Sequence, residues 1–318
     1  MINTTVIIPN YNGMQYLENC LRSLAEEEAC IIVVDNASTD GSFEMIADRF
    51  PAVRTIRMQE NTGFCRAVNA GIAMSSTRYV IFLNNDTVVE PGFVKELETV
   101  MEQDKKIFSA SAKILSMQDH EKIDDAGDFY CALGWAFARG KGKPESKYGK
   151  SCRIFAACGG ASIYRRSLFK QIGTLDENHF AYLEDIDLGY RAQIYGYRCL
   201  FVPTARVYHA GSASSGSRYN RFKTDLTSRN SIYLIYKNMP LFQIVLNLPF
   251  FIIGFAVKTL FFTGKGMGGA YIKGLWKGFQ LCLSEEGRRN KVRFMSRHFL
   301  FYCRIQAVLW INMIRRFC

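Results

Sequence analysis

The residues best able to do chemistry stand where apolar runs stop. In "RYVIFLNNDTVV", Arg78 to Val89, a short run free of charge from Tyr79 to Leu83 gives way at once to Asn84, Asn85 and Asp86. Asn and Asp close turns on their own backbone, which accounts for such a stretch without any ligand. The same position, just past the carboxyl end of a strand, is where open α/β sheets bind ligands. Three more polar clusters share that placement: "PNYNG" (Pro9 to Gly13), "VVDNASTDG" (Val33 to Gly41) and "ENTGFCRAVNAG" (Glu60 to Gly71). Asp35 ends an apolar run, where its carboxylate can take the imide N–H of a pyrimidine base or close an Asx turn. Asn61 to Gly63 open a helix, whose free N–H groups and positive dipole end suit phosphate. Arg66 and Asn69 project from its first two turns.

These clusters need a scaffold, and the hydrophobic periodicity supplies one. "TTVIIP", "CIIVVD", "VRTIRM", "YVIFL" and "IFSASA" read as strands. Between them, 15–28, the segment "TDGSFEMIADRF" with Asp40 as N-cap, 63–74 and 92–103 read as helices. Strand–helix alternation with short loops implies parallel pairing with helices on both faces, an α/β architecture. Residues 116–150 are polar, rich in Gly and Lys, and read as an insertion or small hairpin unit. "CRIFAACGGASIYRR" returns to an apolar strand whose Gly159–Gly160 pair marks a bulge or a close backbone approach. "LEDIDLGYRAQIYG" is a helix and "YRCLFVP" a further strand.

Charge is unevenly spread. Of the formal +11, residues 264–318 carry eleven Lys/Arg against two Glu, and the other 263 residues carry 29 against 27 acids. A basic tail suits nucleic acid or an anionic membrane. The ten Cys show no CxxC pair and no zinc spacing, which points to free, mostly buried thiols in a reducing cytosol. No secretory signal is expected, because Thr4 to Pro9 already reads as a strand.

"VIIPNYNG", "VVDNASTDGS", "NTGFCRAVNAG", "FLNNDTVVEPGF" and "FAYLEDIDLGYR…PTARVYHAGSAS" occur in the order found in family 2 glycosyltransferases of the GT-A fold, which the chain resembles over about residues 3–215. It is most similar to the rhamnosyltransferase-like branch. The resemblance implies a Rossmann-like, mostly parallel sheet and transfer of a sugar from a nucleotide-diphosphate donor, with dTDP-L-rhamnose first and UDP-sugars as the alternative. It places Pro9, Tyr11, Asp35 and Asp40 around base and ribose, and Asn61, Gly63 and Arg66 near pyrophosphate or sugar. Asn84, Asn85 and Asp86 fall on the metal-binding DxD, with an amide at its first position. The cation, Mg2+ or Mn2+, then relies on Asp86, the diphosphate and His209, which stands at the family's distance from the acid pair. The resemblance makes Asp185 the base for an inverting transfer and gives Glu184 to the acceptor, with Asp187 the next acid to test.

The implied organisation is a catalytic unit over 1–215 with 116–150 on its acceptor side, a helical connector over 216–239, and membrane-associating helices over 240–318. Leu241 to Thr263 has 16 apolar residues in 23 and is long enough to span. A single span would put the catalytic unit and the basic tail on opposite sides, so the expectation is in-plane or re-entrant attachment to the cytoplasmic face. A continuous helix over 288–317, with Arg289, Arg293, Arg297, Arg304 and Arg315 in one stripe, would reinforce it. Deleting 240–318 should then release soluble protein. The acceptor is a lipid-linked or growing glycan; nucleic acid is not expected, because the aromatic residues of the tail lie on the apolar side of that helix. Gly264, Gly266 and Gly269 spell GxGxxG, but an apolar stretch rather than a short strand precedes them, so they read as a turn.

Overall fold

In the computed structural model, which describes residues 2–211 and 219–317, the first strands are buried on both faces because their apolar side chains alternate into two separate cores. The chain runs β1 (Thr4–Asn10), α1 (Met14–Ser23), β2 (Cys30–Asp35), α2 (Ser42–Arg49), β3 (Arg54–Arg57), α3 (Gly63–Met74), β4 (Tyr79–Leu83), β5 (Thr87–Val89) and α4 (Phe93–Gln103). It continues through β6 (Ile107–Ser116), β7 (Ile123–Asp125), β8 (Asp128–Cys131), β9 (Trp135–Ala138), β10 (Cys152–Ile154), β11 (Ala161–Arg165), α5 (Phe169–Ile172), α6 (Glu184–Ile194) and β12 (Arg198–His209). Five helices follow: α7 (Arg221–Asn238), α8 (Leu241–Gly264), α9 (Gly268–Leu283), α10 (Glu285–Arg289) and α11 (Phe299–Arg315). The end of the His209-led motif and the boundary expected at 215 lie outside the described residues.

Val6 and Ile8 of β1 pack with Leu17, Met45 and Leu97 on one side of the sheet. Ile7 points the other way, to Val68, Phe169 and Leu188. This is the pattern of a parallel strand covered by helices on both faces. The strand order is β10-β12-β6-β11-β4-β1-β2-β3. Pairing is parallel from β4 to β3, as the alternation requires, and again between β6 and β12. β11 runs antiparallel to both β4 and β6, so the sheet as a whole is mixed. The Gly159–Gly160 pair is the turn into β11, and Asn84 N–H donates to the Gly160 carbonyl at 2.9 Å.

Two helices differ from the sequence reading. α1 ends at Ser23 rather than at residue 28, because Glu27 leaves it to accept the Gly92 and Val94 amides at 2.7 and 2.8 Å and so cap α4. The continuous basic helix over 288–317 does not form. Asn290 donates to Asp176 (2.9 Å) and Val292 N–H to the Lys237 carbonyl (2.9 Å), which pulls 290–295 out of helical conformation. Of the expected arginine stripe, Arg304 and Arg315 alone share a helix.

The C-terminal helices share a core with the catalytic unit. Phe251, Tyr302 and Leu309 pack with Leu115, Phe129, Phe155 and Phe201. Buried amides stitch the layers: Gln243 donates to the Tyr302 carbonyl, Tyr190 donates to Gln243, and Asn247 and Gln306 pair at 2.8 Å. Gly254 of α8 lies against Leu133, where a Cβ would meet the Leu133 carbonyl oxygen at 2.2 Å, and Trp135 Nε1 donates to the Gly254 carbonyl. Deleting 240–318 therefore uncovers one side of a core, contrary to the expectation of a released soluble enzyme. The truncated chain should be insoluble and lack a cooperative thermal transition; a soluble fragment with a sharp melt would show that the two parts fold independently.

Candidate active site

A cavity of about 570 Å³ opens along the carboxyl ends of β1, β2 and β4. Ten of the thirteen residues singled out from sequence line it: Pro9, Tyr11, Asn61, Gly63, Asn84, Asn85, Asp86, Glu184, Asp185 and His209. Asp35, Asp40 and Arg66 do not. Asp35 is fully buried, accepting from Asn10 Nδ2 and from the Ser38 amide at 3.0 Å each. Asn10 in turn accepts from Asn85 Nδ2 at 2.7 Å, so Asp35 reaches the cavity only through two amides. Exposed Asp40 accepts the Ser42 and Met14 amides and holds the starts of α2 and α1. Arg66 stands on the outside of α3, 3.3 Å from Glu177. Asn69 grips the Leu175 backbone through both ends of its amide.

The start of α3 is more occupied than its sequence suggests. Asn61 Oδ1 accepts the Gly63 amide at 3.0 Å, and the Phe180 carbonyl accepts the Cys65 amide at 3.1 Å. Gly63 has φ +82°, and a Cβ there would meet Phe180 O at 2.6 Å, so only glycine fits. Asn36, missed by sequence reading, accepts the Thr62 amide and donates to the Gly63 carbonyl, fixing this end of the helix.

Strand register brings the cation-binding candidates together. β12 pairs antiparallel with β5, setting His209 opposite Thr87, next to Asp86. His209 Nε2 lies 3.2 Å from Asp86 Oδ1 and 3.4 Å from the amide nitrogen of Asn84. Its Nδ1 lies 2.8 Å from Asp124, which also binds Lys141 at 2.5 Å. Burial alone would push the imidazole down, but hydrogen bonds to Asp124 and Asp86 outweigh it and raise His209 to about 9. Burial likewise opposes the Asp124 charge, and His209 and Lys141 hold its carboxyl at about 2. A carboxylate backing one ring nitrogen leaves the other aimed at Asp86, the arrangement that second-shell acids impose on metal-bound imidazoles. A carboxylate oxygen and an imidazole nitrogen this close together on the cavity wall suit adjacent positions around one divalent cation.

The acid pair sits opposite, at the start of α6. The entry loop is held in an unusual path: Phe180, Tyr182 and Leu183 have φ of +62° to +69°. Asn230 of α7 locks it by donating to the carbonyls of His179, Ala181 and Tyr182 at 2.7–3.0 Å. Glu184 is buried and its Oε2 has no hydrogen-bond partner among the described residues; burial, then the Asp185 charge, push its carboxyl up to about 8. Asp185 is half-buried. Burial raises it, and hydrogen bonds from the Ile186 amide, Asp128 and the Gly159 amide work against the rise. Asp128 is pushed well above the carboxylate range by burial, then by the charges of Asp125 and Asp185, so it holds the proton that it shares with Asp185. Burial also raises Asp125, to about 7.

Asp124, Asp125 and Asp128 come from the 116–150 insertion, in which the sequence reading singled out no site residue. Their signal was three acids in "IDDAGDF" (Ile123 to Phe129), set between residues that bury in the core. Among the described residues none of the nine cysteines is paired, and Cys303 alone is exposed.

Glu184 gives a test that needs no substrate. A carboxyl raised by folding binds its proton more tightly in the folded state, so stability falls as pH rises from the unfolded value toward about 8. Glu184→Gln should therefore raise the unfolding temperature at pH 8, by an amount equivalent to at least about 1.4 kcal/mol, one pKa unit. The gain should vanish near pH 4.5. A pH-independent difference would show that Glu184 is charged in the fold.

The sequence profile described as glycosyl transferase family 2 matches residues 5–173. An N-acetylglucosaminyl-diphospho-decaprenol L-rhamnosyltransferase of Mycobacterium tuberculosis is 27% identical over 239 residues, 66% of this chain and 77% of that one. Among solved structures, S. aureus TarS 1–349 in complex with UDP-GlcNAc superposes with a TM-score of 0.60 at 17% identity, over 96% of this chain and 88% of that one. GalNAc-T7 with UDP, GalNAc and Mn2+ superposes with a TM-score of 0.61 at 18% identity, over 74% of this chain but about half, 48%, of that longer one. At such identities the structural likeness shows the fold.

Proposed function

Because the chain belongs to glycosyl transferase family 2, we propose that it is an inverting transferase that moves a sugar from a nucleotide-diphosphate donor to a lipid-linked or growing cell-surface glycan. dTDP-L-rhamnose is the first donor to test, since the Mycobacterium tuberculosis relative is named for L-rhamnosyl transfer to a diphospho-decaprenol acceptor. The observation that carries the reading is convergence. Asp86, Asp124, the Glu184–Asp185 pair and His209 come from four separate stretches of chain and face one cavity.

Pro9 and Tyr11 form the wall for base and ribose, Asn61 and Gly63 lie toward the pyrophosphate and sugar, and Asp35 acts behind the wall by orienting Asn10 and Asn85. Asp86 and His209 would hold Mg2+ or Mn2+, which when bound supplies positive charge to the departing diphosphate. Asp185 takes the proton of the acceptor hydroxyl as that oxygen bonds to the anomeric carbon. The bond from that carbon to the diphosphate oxygen breaks with its electron pair leaving on the nucleoside diphosphate. A protonated Glu184 donates a hydrogen bond to an acceptor hydroxyl and orients it. The exposed apolar side of α8, where Leu260 is 74% and Ile252 63% exposed, lies in the plane of the cytoplasmic membrane face. A transverse span does not suit α8, because Gln243, Asn247, Phe251 and Gly254 in its first 14 residues are buried against the rest of the protein.

The test is donor binding and hydrolysis by the full chain across a nucleotide-sugar panel. UDP-sugars are included because UDP and UDP-GlcNAc are the ligands of the structural neighbours. Turnover should require divalent cation, and Asp86→Ala and His209→Ala should each reduce it sharply. Undiminished turnover in excess chelator would remove the cation from the mechanism. A panel with no bound donor would remove the transferase reading.

A further inference from the structure

A second cavity, of about 970 Å³, adjoins the first and shares Asp124, Ala136, Phe137, Ala138 and Lys141 with it. Its walls are the β8–β9 hairpin and the loop after it, the turn from β6 into β7, the start of β10, Lys258 in the last third of α8 and the end of α11. Eight of its lining residues are Lys or Arg. The one acid among them, Asp124, is already paired with Lys141 and His209.

The way these cations are held is informative. Arg139 lies over Tyr148 (4.7 Å), Lys258 over Trp135 (5.8 Å), Arg315 over Phe129 (5.2 Å) and Arg316 over Phe137 (5.6 Å). None of the four has a carboxylate partner among the described residues. Aromatic faces position a cation without neutralising it. Like charges gathered in a half-enclosed space repel, and an anion bridging them removes that cost. The site is too charged for a sugar ring alone and suits a group with several phosphate oxygens.

Exposed hydrocarbon neighbours these cations along the chain. Val257 and Phe261 are exposed next to Lys258 on α8, and Ile314 and Phe317 are exposed on either side of Arg315 and Arg316 at the end of α11. The cavity thus shares a wall with the one that holds the catalytic acids, and exposed apolar residues neighbour its Lys258, Arg315 and Arg316. We infer that this cavity receives the diphosphate of an isoprenoid-diphosphate acceptor. The attached sugar reaches Asp185, and the hydrocarbon lies along α8 and α11. That the lipid acts as acceptor rests on the transferase reading; the anion site rests on the cations themselves.

The test uses the purified full chain in detergent, with farnesyl diphosphate as the probe and calorimetry as the readout. Farnesol, inorganic diphosphate and phosphatidylglycerol vesicles are separate arms. Farnesyl diphosphate should bind more tightly than farnesol or inorganic diphosphate. The double variant Arg315→Gln/Arg316→Gln should weaken it about 10- to 100-fold, as expected for losing one or two charge-assisted hydrogen bonds. Both arginines are exposed, so the variant should keep its unfolding temperature and its nucleotide-sugar affinity. Lys258→Met, on α8, should weaken farnesyl diphosphate as well. Equal affinity in parent and variants overturns the inference. So does farnesol or inorganic diphosphate binding as tightly as the probe. A loss confined to the phosphatidylglycerol arm would assign the cations to bilayer headgroups and also overturn it. Failure of the transferase reading has a different signature: no nucleotide sugar binds, while farnesyl diphosphate still responds to the variants.

Discussion

Asp185→Asn should lower sugar transfer by about 10²–10⁴-fold, the usual contribution of a positioned base, while nucleotide-sugar affinity and unfolding temperature stay close to those of the parent chain. The substitution keeps size and an oxygen for the Ile186 amide, 2.7 Å away, so the start of α6 should stay as it is. What it removes is a site for the acceptor's proton. Asp128 keeps its proton and can donate to the new amide oxygen as it does to Asp185. Because burial raises Asp185, the acid limb of the parent's pH–rate profile should lie above the ordinary aspartate range. Glu184→Gln should be milder and act mainly on the apparent acceptor KM. A folded Asp185→Asn protein with near-normal transfer would sink the assignment. The next candidate would then be Asp125, which lines the same cavity.

Much of this site is legible in the sequence, for a physical reason. Strand ends and helix starts leave local marks: an apolar run stops, a polar residue caps, a dipole end opens. Asn84 to Asp86, Asn61, Gly63 and the Glu184–Asp185 pair all carried such marks and all line the cavity. Asp35 carried the same mark, yet the carboxylate turns inward to Asn10 and Ser38; nothing local to a strand end tells which way its side chain points. His209 needed the family's spacing, because its place beside Asp86 is set by antiparallel register between β5 and β12, far apart in sequence. The acids of 123–129 were lost inside a segment that looked merely polar. The long basic helix failed because Asn290 and Val292 are recruited by Asp176 and Lys237, contacts that no helical periodicity encodes.

Asp187, which sequence made the next candidate base, has a different task. It is fully buried and accepts from Arg191 through Nε and Nη2 (3.0 and 2.7 Å), from Lys237 Nζ (2.9 Å) and from Asn238 Nδ2 (2.8 Å). Lys237 also reaches Asp176 at 2.8 Å, and Arg191 donates to the carbonyls of Ile172, Gly173 and Thr174. One carboxylate therefore ties α6 to α7 and to the loop before the acid pair. Burial opposes its charge, but Arg191 and Lys237 outweigh burial and hold the carboxyl far below the usual range. Glu184, three residues earlier, is shifted the opposite way. The consequences for stability are opposite too. A depressed carboxyl contributes stability above its unfolded value, about 3.9, and loses it only as pH falls through the folded value. Asp187→Asn should thus destabilise the chain by about 3–5 kcal/mol, the cost of stranding buried charge, and by nearly the same amount at pH 5.5 and pH 8. It will also abolish transfer, so an activity assay alone would mistake it for the base. Chemical denaturation at the two pH values separates the cases, since Asp185→Asn should leave the transition midpoint in place. An Asp187→Asn protein as stable as its parent, with transfer lost and nucleotide-sugar binding intact, would instead place Asp187 in the chemistry.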